Sequence, residues 1–140
     1  MGNKREKRAV IGKEDGRSVA PSADINTIGA IPVLHRIAIP SGANADIDVT
    51  LTHKSRVLDA WAVMKGAGTA GSVLTVKNAS NAVTNAADVS AKADKDLVRF
   101  TSIDHARHEI AAAGTLRVTK ASTGGDFPGA EVYVLAVRVA

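Results

Sequence analysis

Residues 46–64 read DIDVTLT, then HKS, then RVLDAWAVM, and the rest of the chain is expected to close over them. In the first part Ile47, Val49 and Leu51 alternate with Asp48, Thr50 and Thr52, the two-residue period of a strand with one buried and one wet face. In the second part the alternation is lost. Val57, Trp61 and Val63 fall on one parity and Leu58, Ala60, Ala62 and Met64 on the other, interrupted only by Asp59, which predicts a central strand apolar on both faces. The sole tryptophan lies in it, and its large ring is expected to anchor the core.

With 140 residues the chain suits one domain with one core. It has no cysteine, so neither a disulfide framework nor a thiolate metal site is available, which fits a reducing cytoplasm. Its apolar runs fall well short of the ~20 residues of a membrane span, and Met1 onward lacks the apolar core of a signal peptide. A soluble protein that is not exported and has no membrane partner is expected. Met1-Gly2 does not open a myristoylation signal, because Glu6 stands where Ser or Thr is required.

The net charge of +4 is unevenly placed: Lys4, Arg5, Lys7, Arg8, Lys13 and Arg17 face only Glu6, Glu14 and Asp15 within the first 17 residues. The basicity therefore belongs to an arm. Residues 1–32 hold few large apolar side chains and the breakers Gly12, Gly16, Pro21, Gly29 and Pro32, a composition unable to offset its own ordering entropy. An extended arm is expected there, with Ile25, Ile28 and Ile31 available to dock on the domain or on a neighbour.

From Val33 the punctuation is regular. Strands are predicted over 33–39, 46–52, 56–65, 72–78, 82–85, 88–95, 96–103, 115–120 and 131–139, with turn clusters at 40–44 and 66–71. Residues 105–113 are read as an extended segment that turns at Gly114, although their propensity would also allow a turn of helix. Short strands without crossover helices favour an antiparallel sandwich or closed barrel. The last strand, EVYVLAVRV, is apolar on much of both faces and should be paired on both sides, since an exposed edge of that kind invites aggregation.

Apparent chemical motifs dissolve on inspection. Gly66, Gly68 and Gly71 make a GxGxxG after a strand, but residues 72–77 alternate as another strand where a dinucleotide fingerprint needs a helix, so a flexible connection is expected. His105 and His108 stand three apart with Glu109 adjacent, without an HExxH pattern; His35 and His53 lie elsewhere. No nucleophile elbow is present, and Asp46, Asp48 and Asp59 read as strand-face and turn carboxylates. No catalytic, metal or cofactor site is expected. Asn78-Ala79-Ser80 is a sequon that a non-exported chain never presents for glycosylation.

The runs HRIAIPSGANADIDVTLTHKSRVLDAWAVMKG, SVLTVKNASNAVT, EIAAAGTLRVTKASTGG and EVYVLAVRVA together resemble the small jelly-roll cement, or decoration, proteins of tailed double-stranded DNA bacteriophage capsids. The resemblance spans residues 33–140 and lies in pattern and order. It implies a jelly roll made in the host cytoplasm, self-associating as a homodimer or homotrimer. It also implies a seat on the outer surface of the virion, where it bridges subunits of the major capsid protein. The arm is read from charge alone. With four aromatics in the whole chain it lacks the stacking platforms of single-strand binders, so its six cations are assigned to a protein partner and not to specific nucleic acid. Two other readings stay open: a nucleic-acid module acting through the arm, and a receptor- or carbohydrate-binding jelly roll, for which Phe127 is the one plausible loop-tip aromatic.

Overall fold

A computed structural model describes residues 31–139. The basic arm, and with it Lys4, Arg5, Lys7, Arg8, Lys13 and Arg17, lies outside the described residues. The elements in chain order are β1 (Ile31–Ile39), β2 (Ala45–Thr50), β3 (Ser55–Met64), β4 (Val73–Asn78), β5 (Asn81–Ala82), β6 (Ala87–Asp88), β7 (Leu97–Arg99), β8 (Glu109–Ile110), β9 (Thr115–Ala121) and β10 (Ala130–Arg138). β1 begins two residues before the predicted domain start. The described residues contain no helix.

Two antiparallel sheets form a β-sandwich. In the first, the order is β8-β3-β10-β1 with β7 also on β3; in the second it is β2-β9-β4-β5 with β6 also on β4. Taking β5 with β6 and β7 with β8 as single positions, the first strand pairs with the eighth, the second with the seventh, the third with the sixth and the fourth with the fifth. This is a hairpin path folded over on itself, the jelly-roll arrangement. β10 is paired on both sides, as its composition requires.

The two strands of residues 46–64 are not neighbours in a sheet. β2 pairs with β9 in register Val49↔Leu116 and Ile47↔Val118, whereas β3 pairs with β10, so residues 51–54 carry the chain from one layer to the other. The apolar sides of the two strands thereby face each other across the core. The mixed parity of β3 also has a local cause. Its pairing with β10 runs Asp59↔Leu135 and then Val57↔Ala136, leaving Leu58 in a β-bulge. Before the bulge Ser55 and Val57 point inward; after it Ala60, Ala62 and Met64 do. The expected two-sided apolar strand is thus a one-sided strand that changes parity, and Trp61 faces outward and is only partly buried.

The core is built instead on Phe127, Met64, Leu74, Ile110 and Leu116 with Val57, Val76, Val118, Val132 and Val134, all fully buried. Phe127 is 0 % exposed, and its backbone is clasped to the turn after β1 by Gly42 N–H to Phe127 O (2.9 Å) and Phe127 N–H to Gly42 O (2.8 Å). It is therefore not a loop-tip aromatic. Lys120 sits inward on β9 and is buried, its Nζ donating to Pro40 O at 2.6 Å beneath the same turn.

The remaining expectations are corrected in detail. The strand predicted over 82–85 is the two-residue β5, and that over 88–95 shrinks to β6 followed by turns, with Lys95 at φ 71°. Residues 96–103 give only β7 plus a bridge from Ile103 to Thr84. The 66–71 loop is closely packed where flexibility was expected: Gly68 N–H donates to Lys92 O (2.8 Å), and a Cβ on Gly68 would stand 2.0 Å from Val89 O. Between β8 and β9 the left-handed residue is Ala113 (φ 64°), one before Gly114. Gly114 is required for clearance, since a Cβ there would meet Ala111 O at 2.8 Å and Ile110 Cγ2 at 2.9 Å.

Candidate functional site

The outer faces of the two sheets differ. On the second sheet they carry Asp46, Asp48 and Thr50 of β2 opposite Thr119, Arg117 and Thr115 of β9, then Thr75 and Lys77 of β4. Arg117 grips Asp48 with two hydrogen bonds (2.7 and 3.0 Å) and Thr119 Oγ1 donates to Asp46 Oδ1 (2.7 Å). The Arg117 guanidinium holds the Asp48 carboxyl below its ordinary pKa. That is a solvated face, as a two-residue period with polar outward positions dictates.

On the first sheet, alternation places Trp61 and Val63 of β3, Tyr133 and Leu135 of β10, Leu34 and Arg36 of β1, and Leu97 and Arg99 of β7 on the outer side. Registers Arg99↔Trp61 and Trp61↔Tyr133 put three of these in one row across the strands. The rings of Trp61 and Tyr133 stack with centroids 6.0 Å apart and planes 16° off parallel, and the Arg99 guanidinium lies 5.6 Å from the indole centroid. The indole is therefore flanked on the sheet by Tyr133 on one side and Arg99 on the other. Asp59 pairs with Arg99, and its Oδ1 accepts the Ala60 N–H at 2.8 Å, which fixes the carboxylate at the bulge.

Glu131 holds the other end of the row. It accepts Arg36 Nε (3.0 Å) and Nη2 (2.7 Å), the Tyr133 hydroxyl (2.9 Å) and Lys65 Nζ (3.3 Å). Those donors, Arg36 foremost, pull its pKa down to about 2, and the bond to Glu131 raises that of the Tyr133 hydroxyl. Around this fixed ridge stand exposed leucines: Leu58 (47 % exposed), Leu97 (57 %) and, on β1, Leu34 (52 %).

A hollow lies at each end of β3. One, of about 330 Å³, is bordered by Val63, Lys65, Asp94, Lys95, Glu131 and Tyr133. The other, of about 360 Å³, is bordered by Arg56, Leu58, Ile103, His105, His108 and Glu109. In the second hollow the two imidazoles stand 5.1 Å apart, and His108 Nδ1 donates to His105 O at 2.8 Å. Glu109 is taken by Arg56 (3.1 and 2.7 Å), which lowers its pKa. Among the described residues no group of three or more His, Cys, Asp or Glu side chains stands together as a metal site. His35 and His53 lie apart from that pair, along a small cavity of about 70 Å³; burial lowers the pKa of His35. Gly66, Gly68 and Gly71 lead into β4 and not into a helix N-terminus, so they do not form the strand-loop-helix turn of a dinucleotide fingerprint.

No family model, curated protein or solved structure matches the chain.

Sequence reasoning assigned Trp61 to the core and passed over Arg36, Leu97, Arg99, Glu131 and Tyr133. The signal for β10 was present in the alternation of Glu131, Tyr133 and Leu135 with Val132, Val134 and Ala136. For β3 it was hidden by the bulge, which shifts Trp61 onto the same face as Tyr133.

Proposed function

We propose that this protein has a structural, non-enzymatic role: it decorates and cements the capsid of a tailed bacteriophage from outside, bridging neighbouring subunits of the major capsid protein. The observation that carries a protein partner is the Arg99–Trp61–Tyr133 row. Trp, Tyr and Arg are the residues that dominate protein interfaces, and here they are held rigid before any partner arrives, which lowers the ordering cost of binding. The order of the runs quoted above, from HRIAIPSG to EVYVLAVRVA, directs that reading to the capsid.

The same row argues against the carbohydrate reading and against base stacking. Both need a free aromatic face, whereas the indole is flanked by a phenol and a guanidinium and presents mainly its edge. Phe127, buried, offers no alternative platform. The basic arm adds a second point of attachment to the shell, so that the sandwich and the arm together bind with an avidity neither has alone. A protein that binds the assembled lattice and not separated subunits stabilises the lattice by mass action.

The test is sedimentation of the purified protein with intact undecorated phage heads across a salt series. Binding is expected, and replacing Lys4, Arg5, Lys7, Arg8, Lys13 and Arg17 by Gln should weaken it and flatten its salt dependence without abolishing it. Failure of the full chain to sediment with heads at any salt would overturn the capsid reading. Tight, salt-sensitive binding to free DNA by the full chain, lost in the Gln variant, would replace it with the nucleic-acid reading.

A further inference from the structure

We infer that the small cavity between β1, the end of β10 and the crossover before β3 is a site for a small anion of chloride size, held between Arg138 and a protonated His35. The site is independent of the capsid reading.

The strands that meet there are apolar on their inward side until they reach it. β10 turns Val132, Val134 and Ala136 into the core and then Arg138; β1 turns Ile37 and Ile39 inward and places His35 at the adjoining inward position; β3 opens on Ser55 before Val57. The register Arg138↔Ser55 brings two of these polar positions together, and His35 joins them along the cavity. One end of the sandwich is thus closed by polar side chains where the rest of its interior is hydrocarbon.

Those side chains are not equally satisfied. Elsewhere in the interior Lys120 Nζ donates to Pro40 O (2.6 Å) and Thr84 Oγ1 to Asn85 O (2.9 Å), and at the cavity itself Ser55 Oγ donates to His53 O (2.9 Å). His35 Nε2 is buried and has no hydrogen-bond partner among the described residues. A buried ring nitrogen left in that state costs free energy that a ligand can recover.

Charge and size select the ligand. The cavity is lined by Arg138 and two imidazoles, His35 on β1 and His53 on the crossover, and by no carboxylate, a set that attracts an anion and repels a metal cation. Its volume of about 70 Å³ admits an ion of one to a few heavy atoms and not a nucleotide, sugar or peptide. Burial lowers the pKa of His35, so in the empty cavity the ring is neutral at neutral pH. An anion beside the ring favours the imidazolium, whose N–H then has an acceptor, while Arg138 supplies its charge at every pH. Anion and proton therefore bind together: affinity for the anion rises as pH falls, and by reciprocity the anion raises the pH at which His35 titrates.

The test is a proton NMR titration of the imidazole resonances of the full chain, in sodium chloride and in sodium gluconate at equal ionic strength, so that screening is the same and only chloride fits the cavity. His35→Gln identifies the His35 resonance by its loss. The midpoint of His35 should be higher in chloride by about one pH unit, a tenfold coupling, and those of His105 and His108, in the hollow beside Arg56, should be the same in both salts. Arg138→Gln should remove the His35 shift, whereas Lys77→Gln, on the opposite sheet, should keep it. A His35 midpoint equal in the two salts overturns the inference, as does a shift that survives in Arg138→Gln. A shift shared equally by His105 and His108 overturns it too, marking an adventitious ion only. If Arg138→Gln misfolds, the comparison of His35 with His105 and His108 in the parent chain decides.

Discussion

Phe127 and Trp61 exchange the roles their residue types suggest, and the exchange can be measured. Phe127 is fully buried, and the two backbone bonds to Gly42 hold its position, so the pocket left by Phe127→Ala has little freedom to collapse. Phe→Ala substitutions in cores cost about 3–5 kcal/mol, the upper part of the range belonging to sites that stay open, which sets about 4 kcal/mol here. Trp61→Ala removes a larger side chain but a partly solvated one. It forfeits the Tyr133 stack, about 1 kcal/mol, the Arg99 contact, also below about 1 kcal/mol, and a fraction of the ring's burial, for a total of about 2 kcal/mol. A domain of this size loses roughly 4 °C of Tm per kcal/mol, giving shifts of about 16 °C for Phe127→Ala and about 8 °C for Trp61→Ala. Thermal melts followed by far-UV circular dichroism make the comparison. A Trp61→Ala loss equal to or greater than that of Phe127→Ala would refute the reasoning, as would a Phe127→Ala Tm within about 2 °C of the parent.

Further outcomes are expected elsewhere in the molecule. Glu131, with its pKa held at about 2 against an ordinary 4.5, contributes stability that is present above pH 4.5 and is lost as pH falls towards 2; Glu131→Gln should therefore be less stable than the parent at neutral pH, with the difference closing across that window in a pH series of urea melts. Gly68→Ala should be more damaging than Gly114→Ala, because the new Cβ meets the Val89 carbonyl at 2.0 Å in one case and the Ala111 carbonyl at 2.8 Å in the other, and equal Tm values for the two would contradict the packed-loop description. Chelating divalent metal is expected to leave the melting temperature unchanged, and a stoichiometric metal found by elemental analysis would direct attention back to His105, His108 and Glu109.

The long strands were legible because their apolar spacing is regular: β2, β4, β9 and β10 carry alternating residues with one buried set, and their ends fall within a residue or two of the turn clusters. What the sequence concealed follows from geometry that no period encodes. A single extra residue at Leu58 reverses the parity of β3 and makes an outward tryptophan look internal. The segment 88–103 is held by turns and two short pairings, so its apolar content reports burial of Val89, Val98 and Phe100 without a continuous ladder. The surface row escaped notice because Arg99, Trp61 and Tyr133 are distant in sequence and come together only through the registers of β7 and β10 on β3. Charge, by contrast, drew attention to the arm, while the charges that shape the described face are paired across strands.

The central place of β10 bears on how the molecule is made. During synthesis β10 is made well after β1 and β3, yet it is the strand that joins them; until it arrives those two have no common neighbour and the first sheet exists only in pieces. At translation rates of about 5–20 residues per second, the earlier strands wait several seconds with unpaired edges. Loss of Ala130–Arg138 should therefore prevent the first sheet from forming.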